Sequence, residues 1–247
     1  MSEASKGSIL IVDDDDALRE AMTFDFSRRG YQVSSASSGN RALDGLSRSP
    51  VDLILSDVRM PDGDGIQLLH RVRQLHYELP LLIFITGYAD LSLEEAYDQG
   101  ADAVFGKPFD RAELFAAVLR ALQPRQERWK LQALPEPEPL LDLRFSTLEA
   151  ALVDGAFSLG RGGFFAAQNS PLPWRAGQRL RFKIAFEGQP ERSLQGSGIA
   201  RWVRGQGGEG RPSGLGVEFV HLEASGREAF ESYISSRRIV AFIPSGT

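Results

Sequence analysis

The stretch DLILSDVRMPDGDG, Asp52–Gly65, decides the fold predicted for the first half of the chain. It opens with a near-continuous apolar run, which is typical of a strand buried on both faces of a parallel sheet. Asp57 follows this run, and a turn rich in Pro, Asp and Gly comes next. The stretch therefore predicts a central strand that delivers a carboxylate to the carboxyl edge of an α/β sheet.

Strand and helix patterns alternate on both sides of this stretch. Four further strands are predicted at Ser8–Val12, Tyr31–Ala36, Leu81–Ile85 and Ala103–Phe105. Five helices are predicted at Ala17–Arg29, Asn40–Arg48, Gly65–Leu75, Leu91–Gln99 and Arg111–Leu122. This alternation predicts an α/β flavodoxin-like fold, which is a doubly wound parallel five-stranded sheet with helices on both faces.

Polar side chains follow four of the five predicted strands. Asp13 and Asp14 come after the first strand, Asp57 after the third, Thr86 after the fourth and Lys107 after the fifth. Because the carboxyl ends of parallel strands meet at one edge of a sheet, we expect these side chains to converge. Clustered carboxylates suit a hard cation such as Mg²⁺, and a carboxylate can attack phosphorus. The edge is therefore predicted to form an aspartyl phosphate whose oxygens are bound by a metal, an ammonium and a hydroxyl.

Four motifs in this half resemble the receiver domain family of two-component response regulators, over about residues 7–122. The motifs are ILIVDDDD at Ile9–Asp16, DLILSDVRMPDGDG at Asp52–Gly65, ITG at Ile85–Gly87 and GADAVFGKPF at Gly100–Phe109. The resemblance implies that Asp57 is the phosphoacceptor of a phosphorelay. It also implies a cis peptide bond between Lys107 and Pro108.

The resemblance further implies a set of ligands for Mg²⁺ as cofactor. Asp14 and Asp57 would ligate the ion, and Asp13 would assist through a water molecule. The backbone carbonyl of Arg59 would complete the protein ligands.

The resemblance also implies how the phosphoryl group is bound and read. Thr86 would supply the switch hydroxyl, and Lys107 would contact the phosphate. The family usually has Tyr or Phe three residues before this Lys, where this chain has Val104. Strand alternation points the neighbouring Phe105 to the opposite face. We therefore expect phosphorylation of Asp57, but not the usual transmission of the signal through an aromatic side chain at position 104.

Three further acidic residues have predicted structural roles. Asp16 is expected to be the N-cap of the first helix, since a carboxylate there accepts hydrogen bonds from free amides. Asp62 and Asp64 are expected to form the turn that follows Asp57.

A break in the alternating pattern separates the first domain, residues 7–122, from a second one at 140–243. Residues 123–139 are predicted to extend the preceding helix and then to form a semi-rigid PEPEP spacer. Short strand patterns separated by Gly and Pro follow, and Glu223–Ser236 has a helical pattern. We expect a small antiparallel β-barrel with a C-terminal helix.

Three segments of the second domain resemble a PilZ domain, over about residues 140–238. They are Ser158–Phe186, Gly196–Arg204 and Gly214–Leu222. Many PilZ domains bind cyclic di-GMP, through an Arg-x-x-x-Arg motif and an Asp/Asn-x-Ser-x-x-Gly motif. Neither motif is intact in this chain.

The residues at the places of these motifs have the wrong spacing or chemistry. Arg125 and Arg128 are too close together and Arg144 stands alone, while Ser158 and Gly160 occupy the Asp/Asn and Ser places. Because a phosphodiester is best bound by bidentate guanidinium contacts, we do not expect cyclic di-GMP binding.

One predicted strand of the second domain carries a basic face. Arg179, Arg181 and Lys183 alternate with apolar residues. We interpret this as a solvated outer face, with an acidic partner as the alternative.

Composition narrows the class of protein. The net charge is −5, with −8 in residues 1–140 and +3 in residues 141–247, and there is no cysteine. An acidic first domain and the lack of a helix-turn-helix pattern do not favour DNA binding. No apolar run approaches the about 20 residues that a membrane span needs. No Ser-His-Asp set, Walker loop or zinc-deaminase motif occurs, so we do not expect an enzyme. Because there is no cysteine and no candidate membrane span, we expect a cytoplasmic protein that does not insert into membranes.

These observations predict a response regulator of a two-component system. A sensor histidine kinase would phosphorylate Asp57, and the PilZ-like domain would then change its contact with an unknown downstream protein or form a homodimer. Motility is the process that analogy with PilZ domains suggests. Two alternatives stay open, namely a cyclic di-GMP receptor coupled to phosphorylation and a scaffold that acts without phosphorylation.

Overall fold

The computed structural model describes residues 6–76, 79–87, 91–124, 127, 129–130, 138–169, 171–205 and 211–246. The chain packs as two units, of which the first comprises residues 1–92 and 99–122 and the second comprises residues 93–98 and 123–247. The predicted domain ranges remain predictions. Most of the predicted linker, with Arg125 and Arg128, lies outside the described residues.

A five-stranded parallel sheet forms the centre of the first unit. Its strands are β1 (Ser8–Val12), β2 (Gln32–Ala36), β3 (Leu53–Ser56), β4 (Leu81–Thr86) and β5 (Ala103–Gly106). Their order is β2-β1-β3-β4-β5, and every pair is parallel, which confirms the predicted flavodoxin-like sheet. The direction of winding reverses between β1 and β3, so their carboxyl ends form the switch point at which such sheets bind ligands.

Helices cover this sheet. The helices of the receiver-like half are α1 (Asp16–Ser27), α2 (Gly39–Arg48), α3 (Gly65–Leu75), α4 (Leu93–Asp98) and α5 (Arg111–Ala121). Phe26 of α1 and Val118 of α5 are buried in one cluster with strand residues such as Ile9 and Leu53. The exception is α4, which packs with the second unit although it lies between β4 and β5 in the sequence.

Acidic side chains cap three of these helices, α1, α3 and α5. Asp15, and not Asp16, caps α1, and its carboxylate accepts hydrogen bonds of 2.9 and 3.1 Å from two amides of the first turn. The cap predicted at Asp16 is wrong because the helix begins at that residue, so the free amides lie within reach of the preceding carboxylate. Asp62 lies in the turn as predicted, with a φ of 59°, and Asp64 caps α3.

A six-stranded sheet forms the second unit. Its strands are β6 (Leu140–Phe145), β7 (Phe157–Leu159), β8 (Gly163–Ala167), β9 (Arg179–Phe186), β10 (Leu194–Arg204) and β11 (Gly214–Leu222), in the order β6-β9-β10-β11-β8-β7. Helix α6 (Leu148–Val153) lies between β6 and β7, a 3-10 turn at Pro190–Arg192 lies between β9 and β10, and helix α7 (Ala224–Ser235) follows β11. The predicted C-terminal helix is confirmed to within one residue at each end.

The antiparallel barrel predicted for this unit is wrong in one respect. β6 pairs in parallel with β9, whereas the other pairs are antiparallel, so the sheet is mixed. Two strands lie between β6 and β9 in the sequence, and therefore no hairpin fixes their relative direction. The sheet curls into a half-barrel, since Phe145 on one edge strand and Phe157 on the other have ring centroids 5.7 Å apart.

Aromatic side chains fill the concave side of this sheet. Phe219 contacts Trp129 and Phe230, and the ring centroids of Phe219 and Phe230 are 5.0 Å apart. Phe230 and Ile234 attach α7 to the sheet through this cluster. Among the described residues, no helix has the length and apolar character that a bilayer span requires.

Candidate functional site

Three carboxylates meet at the carboxyl ends of β1 and β3. One carboxylate oxygen from each of Asp13, Asp14 and Asp57 lies within 4.8 Å of the others. Asp13 is only 3% exposed, whereas Asp14 is exposed and Asp57 is intermediate. The strands thus bring together the acids that are separated by more than 40 positions in the sequence.

A lysine ammonium lies against this carboxylate cluster. Lys107 follows β5, and its Nζ lies 2.5 Å from Oδ2 of Asp57 and 3.0 Å from Oδ2 of Asp13. The backbone amide of Lys107 donates to the carbonyl of Thr86 at 2.8 Å. The peptide bond between Lys107 and Pro108 is cis, as predicted. Three carboxylates and one ammonium leave a formal charge of −2 at this edge, which is the charge that a divalent cation balances.

The local environment shifts the pKa values of two of these groups. Burial raises the pKa of the Asp13 carboxyl, and hydrogen bonds from the Asp15 amide and Lys107 oppose this effect only in part. Burial alone would lower the pKa of Lys107, but its hydrogen bonds to Asp57 and Asp13 outweigh burial and raise it. Lys107 is therefore charged at neutral pH.

The backbone orients the Asp57 carboxylate. Its Oδ1 accepts hydrogen bonds from the amides of Val58 at 2.5 Å and Arg59 at 3.3 Å. Its own amide donates to the carbonyl of Val12 at 2.8 Å, which ties the end of β3 to the end of β1. The side chain is 12% exposed, so an incoming group can reach it.

A glycine that the sequence analysis did not single out allows this arrangement. Gly65 begins α3, and a Cβ placed on it would lie 2.1 Å from the carbonyl oxygen of Asp57. Its amide donates to the carbonyl of Val58 at 2.8 Å. Gly65 is therefore a positioning residue, because only glycine lets α3 approach the backbone at the end of β3 so closely. The Pro-Asp-Gly-Asp-Gly composition of the turn was the signal available in the sequence.

Comparisons with known proteins agree with this geometry. The model of the response regulator receiver domain matches residues 9–119. Sporulation initiation phosphotransferase F of Bacillus subtilis is 36% identical over 115 residues, which are 46% of this chain and 92% of that protein. The chain belongs to the response regulator receiver family.

Other relatives resemble only the receiver part of the chain. The DNA-binding transcriptional regulator NtrC of Klebsiella pneumoniae is 37% identical over 139 residues, which are 56% of this chain and 29% of that protein. The chain therefore spans less than a third of the length of this curated relative. The structure of the chemotaxis response regulator CheY4 of Vibrio cholerae is 30% identical, with a TM-score of 0.42, and covers 46% of this chain and 97% of that one.

The two predicted switch positions of this receiver lie on neighbouring strands. Thr86 ends β4 and is 3% exposed, and it is in register with Gly106 of β5. Val104 of β5 is in register with Phe84 and is half-buried. Phe105 packs against the core cluster of the first unit, as expected for a side chain on the face opposite Val104. The roles of Thr86 and Val104 in switching stay predictions.

The stretch at the place of the second PilZ motif is covered by the chain's own C-terminal segment. The amide of Gly162 donates to the carbonyl of Phe242 at 3.0 Å, and a Cβ on Gly162 would lie 2.0 Å from the Phe242 ring. A Cβ on Gly160 would lie 2.4 Å from the Phe242 carbonyl oxygen. Arg144, at the place of the first motif, is exposed and lies 3.8 Å from Asp142.

Proposed function

We propose that this protein is a response regulator that accepts a phosphoryl group on Asp57 from a sensor histidine kinase and transmits the signal through its second unit. The observation that carries the proposal is the placement of the Asp57 carboxylate, which is partly exposed to solvent, against the Lys107 ammonium and the buried Asp13. An acid cluster with a lysine in contact at the switch point of a parallel sheet fits phosphoryl transfer better than a structural role.

The reaction requires a nucleophile whose orientation is fixed. Two backbone amides bind Oδ1 of Asp57, and therefore Oδ2 is the oxygen presented to phosphorus. Attack by Oδ2 forms the P–O bond while the P–N bond of a phosphohistidine breaks, and the imidazole nitrogen keeps the electron pair and takes up a proton. Lys107, which contacts Oδ2 before transfer, then neutralises charge on the phosphoryl oxygens. The buried hydroxyl of Thr86 would bind one of these oxygens.

The residues at this edge suit Mg²⁺. The carboxylates of Asp13, Asp14 and Asp57 offer hard oxygen ligands within 4.8 Å of one another, and their charge together with Lys107 is −2. By the family resemblance, the carbonyl of Arg59 would complete the set; the amide of the same residue lies 3.3 Å from Oδ1 of Asp57. When bound, the ion supplies charge neutralisation for the phosphoryl group.

The second unit is proposed as a PilZ-like binding module that is not catalytic. A curled sheet with a C-terminal helix is compatible with that assignment. Phe242 lies over Gly160 and Gly162, where the family's nucleotide motif would be, and this weighs against cyclic di-GMP as its ligand. We infer that phosphorylation, which adds a charge of about −1.5 to −2, changes a protein contact of this unit. The partner would be a downstream protein or a second copy of the chain.

Intact-mass measurement tests the phosphoryl chemistry. The full chain is incubated with acetyl phosphate and Mg²⁺, beside an Asp57→Asn variant that keeps the shape of the side chain. We expect one phosphoryl adduct on the wild type, none on Asp57→Asn, and none on the wild type when EDTA removes the metal. Absence of the adduct from the folded wild-type protein would overturn the proposal.

A further inference from the structure

The loop between β3 and α3, residues 57–64, carries Asp57 at its first position. Its first half is held by β3 and by the buried side chain of Met60. Its last residue, Asp64, caps α3 through a hydrogen bond from an amide of the first helical turn. The middle of the loop, at Asp62, lies between these two anchors, so its conformation depends on further contacts.

Two side chains from the start of α2 bind the carboxylate of Asp62. The hydroxyl of Ser38 donates to Oδ2 at 3.1 Å, and Nδ2 of Asn40 donates to Oδ1 at 3.0 Å. Each carboxylate oxygen therefore has its own donor. The hydrogen bonds from Asn40 and Ser38 hold the pKa of the Asp62 carboxyl below its usual range, because they stabilise the charged form. We call Ser38, Asn40 and Asp62 the Asp62 network.

Backbone hydrogen bonds join the same two segments. The amide of Gly39 donates to the carbonyl of Gly63 at 2.8 Å. The amide of Asn40 donates to the carbonyl of Asp62 at 3.3 Å. The first amides of a helix have no acceptor within that helix, so the loop supplies acceptors to the start of α2. Gly39 permits this approach, because a Cβ on it would lie 2.7 Å from the carbonyl oxygen of Gly63.

The backbone of Asp62 has a conformation that most side chains disfavour. Its φ is 59°, and it is the one non-glycine residue with a positive φ in the part of the chain that the structure describes. Aspartate tolerates this left-handed region better than most residues, but glycine adopts it at no steric cost. Such conformations persist where the surrounding structure fixes them, and they concentrate at functional sites. The bonds of the carboxylate therefore account for an aspartate at this position.

Two of the expected Mg²⁺ ligands belong to this loop. The Asp57 carboxylate and the Arg59 carbonyl precede Asp62 by five and three residues. The other acids of the site, Asp13 and Asp14, follow β1. Because Mg²⁺ demands nearly ideal octahedral geometry, ligands on two separate loops bind it well only when both loops are fixed. A loop that adopts the competent conformation for only a fraction of the time lowers the apparent affinity by that fraction.

We propose that Asp62 is a positioning residue that, with Ser38 and Asn40, holds the loop 57–64 in the conformation that binds Mg²⁺ beside Asp57. The roles of Asp57 and of the metal rest on the proposed function, whereas the network itself rests on the contacts above. Asp62 is not one of the three clustered carboxylates at this edge, and both of its oxygens are bound by the network. It therefore acts on the geometry of the metal site without being a ligand.

Replacing Asp62 by glycine and by asparagine separates the hydrogen bonds from the charge. Asp62→Gly and Asp62→Asn both lose one negative charge, and both residues tolerate the left-handed conformation. The amide oxygen of an asparagine accepts a hydrogen bond from Asn40, and its amide nitrogen donates one to Ser38. Glycine has no side chain that could replace these bonds. The two variants therefore differ in the network while their charge is the same.

Magnesium titration of the full chain tests the inference. Isothermal titration calorimetry gives the dissociation constant for Mg²⁺, and intact mass gives the rate of phosphorylation by acetyl phosphate at each Mg²⁺ concentration. We expect the dissociation constant to rise about fivefold in Asp62→Gly and to stay within about twofold of the wild type in Asp62→Asn. At saturating Mg²⁺ the phosphorylation rate of Asp62→Gly should reach that of the wild type, because the metal selects the competent loop.

Asn40→Ala tests the network without a change of charge. It removes the donor to Oδ1 of Asp62 and should weaken Mg²⁺ binding by itself, but it should add little to Asp62→Gly, whose side chain is already absent.

Two results would overturn the positioning role. One is an equal dissociation constant for Asp62→Gly and Asp62→Asn. The other is a reduced rate at saturating Mg²⁺ with an unchanged dissociation constant in Asp62→Gly, which is the signature of a structural role alone. A wild-type protein that neither binds Mg²⁺ nor forms the phosphoryl adduct would overturn the proposed function and this inference with it.

Discussion

The substitution Arg73→Met should destabilise the first unit by about 3 kcal/mol. Arg73 lies on α3 and is 4% exposed, and its guanidinium makes hydrogen bonds to the carboxylate of Asp102 at 2.7 Å, the carbonyl of Pro80 at 2.8 Å and the carbonyl of Gly100 at 3.0 Å. Removal of one partner of a buried ion pair typically costs about 3–5 kcal/mol, because the other charge remains buried without compensation.

The lower end of that range is expected for two structural reasons. Oδ2 of Asp102 retains the hydrogen bond of 2.8 Å from the amide of Leu82, and the Met side chain fills much of the space of the arginine stem. Adding Asp102→Asn to Arg73→Met should restore about 1–2 kcal/mol, since it removes the uncompensated charge and keeps an acceptor for Leu82.

Urea unfolding followed by circular dichroism measures this effect, with the transition of the first unit fitted separately. Arg71→Met is the matched control, because Arg71 lies on the same helix and is exposed; we expect it to change the free energy of unfolding by less than about 0.5 kcal/mol. A loss below about 1 kcal/mol for Arg73→Met, or no recovery in the double variant, would refute the argument that the Asp102 charge depends on Arg73.

Three further predictions concern the phosphoryl site. Gly65→Ala should slow phosphorylation by acetyl phosphate at least about tenfold and lower the stability of the fold by about 1–3 kcal/mol, because the new Cβ would overlap the Asp57 carbonyl. A phosphorylation rate equal to that of the wild type, followed by intact mass, would contradict this. Asp13→Asn should raise the melting temperature of the protein measured at pH 7 without Mg²⁺. Burial raises the pKa of Asp13, so its charged form lowers the stability of the fold above that pKa. The same variant should lose the increase in melting temperature that Mg²⁺ causes in the wild type, and thermal melts with and without Mg²⁺ check both results. The pKa of Lys107 is raised, so its ion pairs stabilise the fold at every pH below the ordinary lysine pKa of 10.5 and are lost only at higher pH. Lys107→Met should therefore reduce stability equally at pH 6 and pH 9. A loss of stability at only one of these pH values would contradict this.

The fold of the receiver half could be predicted because the patterns that identify its strands and helices lie within short stretches of the sequence. Apolar runs such as Leu53–Ser56 identify buried strands, and the rule for carboxyl ends of parallel strands then brings Asp13, Asp57 and Lys107 together without knowledge of any distance. The cap at Asp16 was misplaced by one residue, because a run of four acids offers several equivalent caps and only the first helical turn selects Asp15.

The second unit was predictable in its elements and not in its topology. Alternation in Arg179–Phe186 marks a strand with one buried face, and the helix near the C-terminus follows from its apolar spacing. The parallel pairing of β6 with β9 has no local signal, since the partners lie about 40 residues apart and no turn connects them directly. The sequence therefore specified strands whose directions only the assembled sheet could decide.

The sequence by itself determined the five-stranded parallel sheet and the identity of the acids and the lysine at its edge. Only the tertiary structure decided that α4 packs with the second unit, that Phe242 covers Gly162, and that Arg73 neutralises Asp102. The physical reason is the same in all three cases. Strand and helix patterns depend on the burial of neighbouring residues in the chain, whereas these contacts depend on partners that are far apart in sequence and become neighbours only when the units have folded.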